Sequence, residues 1–193
     1  GVVWCSWEKA VVVVELEHVR EGAEKIRAIT WANEPVATLE AAVVHLAQTR
    51  AMVEAAECEA LAAYEASKEW KVSGAGSAAM RIAHVTGGRK ETIGRRCHAG
   101  TVLRGMPHVE AAFAAGEITL DHVETLSKAR VPTLAVRFAL DEERILGWAR
   151  DLTYKEFSAK VQDWRDVHAP ADAEERAQSQ VESRQLFASE TFG

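Results

Sequence analysis

The chain has 193 residues, 48% of them hydrophobic and 27% charged, a composition of ordinary globular proteins that excludes wholesale disorder. One domain of this length, or two small ones, buries enough apolar surface to fold without disulfide or metal staples. The net charge is −6, and the longest runs free of Asp, Glu, Lys and Arg are nine residues, 41–49 and 72–80, too short for a membrane span. No cationic segment precedes the run of four valines near the start, so no secretory signal is read there. Opening on Gly1 and stopping at Gly193 suggests a piece of a longer protein. Three cysteines (Cys5, Cys58 and Cys97) form no paired framework and no CxxC motif, which fits a reducing cytoplasm and buried thiols.

In chain order, nearly everything reads as helix, interrupted by only four prolines. Val11, Val14, Leu16, Val19, Ala23 and Ile26 recur at helical spacing, predicting an amphipathic helix over 7–31. After the Asn33-Glu34-Pro35 break, residues 35–70 read as one long helix whose apolar side runs through Leu39, Val43, Leu46 and Val53. These two helices suggest a hairpin over 1–70, with packing against the chain's own core and homodimer formation equally expected. Ser77 is an N-cap for a short helix to Val85, Thr86-Gly87-Gly88 is a turn, and 89–103 is the next helix. Pro107 opens another that Gly116 stops, and Thr119 or Asp121 starts one to Arg130. Residues 141–150, 153–168 and 171–185 complete the set, with a capping box at Thr153–Glu156. A strand is conceivable only over 184–192. The fold class is all-α, a multi-helix bundle with two long N-terminal helices and a helix-turn-helix-like core. The segments are 1–70, a basic 71–131, and 132–193.

Charge is unevenly distributed. Residues 71–108 carry seven bases (Lys71, Arg81, Arg89, Lys90, Arg95, Arg96 and Arg104) and one acid, Glu91, while both flanks are acidic. Such an island points to a polyanion-binding surface, unless the acidic flanks cover it internally. Within it, Ala83, Gly87 and Ile93 have the spacing of a helix-turn-helix, in which a small residue permits close crossing and glycine makes the turn. Thr86, Gly88 and Arg96 depart from that pattern. On a helical wheel Ile93, Cys97, Gly100 and Leu103 face inward. Glu91, Arg95, His98 and Val102 lie opposite, with Thr92 and Ala99 beside them. Arg95, Lys90 and Thr92 are the candidates for base edges. Arg89, Arg96 and Arg104 suit phosphates, and His98 completes the candidate DNA-binding set.

The stretch SGAGSAAMRIAHVTGGRKETIGRRCHAGTVLRGMPHVEAAFAAGEITLDHVETLSKA resembles the N-terminal helical domain (DUF222) of actinobacterial and phage 13E12-repeat proteins. The likeness covers residues 37–193 and is most specific at 114–123, AAGEITLDHV. More distantly, the same span is similar to the helix-turn-helix region of ParB-type proteins. The resemblance implies an HNH endonuclease polypeptide in which this part targets double-stranded DNA and a nuclease domain follows Gly193.

No catalytic centre is read in the chain itself. An HNH site needs a water-activating His and metal-holding partners, yet the sole Asn is Asn33 and no two histidines are adjacent. HExxH, CxxC and P-loop patterns are absent. Glu142-Glu143 and Glu174-Glu175 read as solvated carboxylates, and the six tryptophans as core or interface anchors. No cofactor, metal or membrane partner is expected. The alternative function is a helical interaction or dimerisation scaffold without DNA contact.

Overall fold

The computed structural model describes residues 6–169, and side chains from residue 12 onward. The expected helix over 171–185 and the strand over 184–192 lie outside them. Eight α-helices form: α1 (Ser6–Arg27), α2 (Val36–Ser67), α3 (Ala78–Thr86), α4 (Lys90–Leu103), α5 (Pro107–Ala114), α6 (Leu120–Ala129), α7 (Ala135–Asp151) and α8 (Tyr154–His168). Three short 3₁₀ turns join them, and no strand occurs among the described residues. The fold is all-α. No helix among these residues is long and apolar enough to cross a membrane.

Contacts divide the chain into two units, Gly1–Val44 and His45–Gly193, so the division falls inside α2 rather than after it. In the first unit every α1 side chain from residue 12 is exposed, and Trp31 and Leu39 are half-buried. The second unit holds the core. One face of α2, through Ala51 and Cys58, joins Leu103, Val109, Phe113, Val123, Phe138, Ile145, Phe157 and Trp164 in a single apolar cluster.

Local chemistry explains most boundaries. α2 ends at Ser67 because Lys68 turns left-handed (φ 60°), and the 3₁₀ turn Glu69–Ser73 then folds Trp70 into the core. Ser77 Oγ accepts from the Met80 amide (3.1 Å) and Glu65 Oε2 from the Ala78 amide (3.0 Å), so two side chains cap α3. Burial alone would raise the Glu65 pKa, but the Ala78 amide and Lys68 outweigh it and hold the carboxyl below its ordinary value. Past α5, the amides of Gly116 and Glu117 return to Phe113 and Ala112 carbonyls (both 3.0 Å), closing a Schellman turn. Thr153 and Glu156 form the expected capping box.

Two expectations are corrected. α7 starts at Ala135, six residues before Asp141, because the 3₁₀ turn Pro132–Leu134 runs straight into it and seats Leu134 and Phe138 in the core. Glu142 is not solvated: at 2% exposure its Oε1 accepts the amides of His108 (2.9 Å) and Val109 (3.0 Å). It thereby satisfies the open N-terminus of α5, whose Pro107 supplies no N–H. Its neighbour Asp141 accepts from Arg137 Nε (2.8 Å) and Trp164 Nε1 (2.9 Å) and pairs with Arg144 (2.9 Å), tying α7 to α8.

The tightest approach is between α2 and α4. A Cβ on Gly100 would lie 2.1 Å from the Cys58 carbonyl oxygen and 2.9 Å from the Ala62 Cβ. Cys58 is fully buried there, and burial, with Glu54 and Glu57 nearby, pushes its thiol up to about 12. Gly94, on the same helix, has nothing within 4 Å of its position for a Cβ. Gly100→Ala is therefore expected to destabilise the fold by about 1–3 kcal/mol through overpacking. Gly94→Ala should instead be neutral or stabilising by about 0.5–1 kcal/mol; paired thermal melts check both.

Candidate nucleic-acid interface

α3 and α4 meet around Gly87, which is left-handed (φ 70°) as the turn requires. Ala79 and the half-buried Ile82 and Ala83 pack on Ile93 and Cys97, with Leu61 of α2 closing the small cluster. This bihelical corner has the residues that the spacing singled out, Ala83, Gly87 and Ile93, at its crossing. Cys97 is buried, as expected, and burial raises its pKa.

α4 buries a wide arc. Ile93, Cys97, Gly100 and Leu103 face inward, and so does Ala99 at 2% exposure, because α6 packs along that side. The outward strip comprises Lys90, Glu91, Arg95, His98 and Thr101, with Gly94 and Val102 half-buried. Thr92 is half-buried at the edge of the inward arc. Arg89 is the N-cap of α4, makes no side-chain cap, and leaves the first amides of the helix open. Arg104 is exposed at the other end, about 22 Å away at the helical rise.

The candidate cations divide by what they touch. Arg96 departs from its expected outward role. Its Nε and Nη2 donate to Glu54 Oε1 (3.0 and 2.8 Å), its Nη1 to Glu57 Oε1 (3.3 Å), and only 27% of its side chain is exposed. Burial opposes its charge, but the hydrogen bond to Glu54 and the charge of Glu57 prevail and raise its pKa. The physical reason lies in the wheel: Arg96 sits between Gly100 and Leu103, next to the glycine that rests on α2. Arg95 remains half exposed, with Nη1 3.3 Å from Glu124 Oε1 on α6. His98 Nε2 is 3.5 Å from Ser127 Oγ. By contrast Lys71, Arg81, Arg89, Lys90 and Arg104 make no ion pair with a described residue, although Lys71 lies over the Trp70 ring, 5.6 Å from its centre.

Sequence reasoning missed Lys128. It lines a groove of about 200 Å³ between α4 and α6 together with Arg95, His98, Val123, Glu124 and Ser127. Its distance along the chain hid it. The only available signal was its position four residues after Glu124, on the same face of α6. Among the described residues no three His, Cys, Asp or Glu side chains group as metal ligands would.

No family model, curated protein or solved structure matches the chain.

The partners of Arg96 give its replacement a structural signature. Arg96→Ala strands Glu54 and Glu57 beside each other against α4, and a loss of about 1–3 kcal/mol is expected in urea unfolding. Arg104→Ala, at an exposed site without an ion pair, should stay within about 0.5 kcal/mol.

Proposed function

We propose that this chain binds duplex DNA through the corner of α3, the Gly87 turn and α4. It would serve as the targeting part of a 13E12-repeat (DUF222-like) protein whose cutting is done by a separate HNH domain. The observation that supports this reading is the set of cations along α4 that make no ion pair with a described residue, Arg89 and Lys90 at its start and Arg104 at its end. Arg89 and Lys90 flank open amides at the start of a 14-residue helix, where the helix dipole also favours a phosphate. Arg104 reaches a second phosphate from the far end. Arg95, paired with Glu124, and Lys90 would reach base edges, with Lys128 and His98 bordering Arg95; the half-buried Thr92 would contribute less. Arg96 leaves the DNA-contact set, since its charge is spent within the fold. The acidic remainder of the chain limits how many phosphates are neutralised.

Counterion release sets the scale. About three phosphate contacts give a log–log salt slope of about −2.7, so affinity for a random duplex should fall about 40-fold between 50 and 200 mM salt. In fluorescence anisotropy the Arg89→Glu/Lys90→Glu/Arg104→Glu triple variant is expected to flatten that slope and lose binding. Undetectable binding at low salt, or binding that the triple variant leaves unchanged, would overturn the reading.

A second reading, an interaction scaffold without DNA contact, is favoured by one observation: Val43, Leu46 and Val53 are exposed along α2. Charges placed at these three positions would then abolish assembly in sizing experiments, and DNA binding would be absent from the parent chain.

A further inference from the structure

α1 carries an apolar seam that nothing else described in its own unit covers. Val12, Leu16, Val19, Ala23 and Ile26 follow one another at intervals of four, three, four and three residues, the a/d spacing of a two-stranded coiled coil. All are exposed, Leu16 at 63% and Val12 at 60%. With Leu16 and Ala23 at a, and Val12, Val19 and Ile26 at d, Glu15 falls at a g position and Arg20 and Arg27 at e. From these residues we infer that α1 pairs, parallel and in register, with α1 of a second copy of this chain.

Charge selects both the occupant and the direction. A parallel pair sets Glu15 of each helix beside Arg20 of the other, twice by symmetry, since g meets the e position five residues on. An antiparallel pair would instead bring the e-position arginines, Arg20 and Arg27, together. In the single chain these groups hold only loose intrahelical contacts, Glu15 to His18 at 3.6 Å and Arg20 to Glu17 and Glu24 at 3.5 and 3.6 Å. All are exposed and free to exchange for a partner across the seam. A lipid surface fits less well, because the polar face carries Glu15, Glu17, Glu21 and Glu24 against Arg20, Lys25 and Arg27, whereas interfacial helices are basic. Ala23 at an a position lets the two helices approach closely.

The pairing depends on neither reading of function and is tested without DNA. Sedimentation of the whole chain from about 1 to about 300 μM, a range that brackets weak association, should show the mass rising to twice that of the monomer. Leu16→Glu/Val19→Glu should keep it monomeric throughout, with unchanged circular dichroism, because neither side chain packs in the core. Glu15→Arg alone and Arg20→Glu alone should each weaken association about tenfold or more, and the double exchange should restore it. A monomer at every concentration would overturn the inference, as would association that ignores the seam variants. Failure of the double exchange to restore pairing would overturn the parallel register. Loss of assembly only on charging Val43, Leu46 and Val53 would assign it to α2 instead.

Discussion

The structure of residues 45–169 turns on the contact between α2 and α4 at Gly100. Two helices normally keep 8–10 Å between their axes, and here a single missing side chain lets α4 rest on the Cys58 carbonyl. Everything that α4 presents follows from that seat. Ile93 and Cys97 are turned toward α3, Leu103 toward the main cluster, and Arg96 toward the acids of α2. A second close approach, Gly116 against the Gln48 carbonyl, seats the end of α5 on the same helix. α2 is thus the rail on which α4 and the end of α5 are registered.

Polar side chains then finish what packing begins. Glu65, Glu142 and Thr153 each satisfy amides at the start of a following or facing helix, groups that the helix itself leaves without partners. The same logic separates the cations of the basic island. One whose direction on α4 meets α2 is absorbed into the fold, as Arg96 is. Those at the helix ends, Arg89, Lys90 and Arg104, make no ion pair with a described residue. Position on the wheel, more than the local excess of charge, decides which group is left for a ligand.

Much of this was legible in the sequence where short-range chemistry sets the answer. The Ser77 cap, the Gly87 turn, Pro107, the Gly116 stop and the Thr153 box all depend on neighbours within a few residues, and each boundary falls where those residues indicate. The apolar side of α4 was readable for the same reason, from its period. What was hidden depends on partners far along the chain. Arg96 meets Glu54 42 residues away, Glu142 caps a helix 34 residues earlier, and the burial of Ala99 requires α6. The start of α7 was obscured because Pro132 counts among the interruptions of the helical pattern, whereas here it opens a 3₁₀ turn that leads into helix. At the candidate site, the count of bases was visible but their pairing was not.

The thiol of Cys58 shows what the Gly100 contact means beyond geometry. A thiolate is the reactive form, and at this site ionisation is suppressed while both helices shield the sulfur. Oxidants and alkylating reagents therefore have no foothold on it while the helices stay together. Its chemistry becomes a clock for their separation, recording each opening of the seam as an irreversible mark.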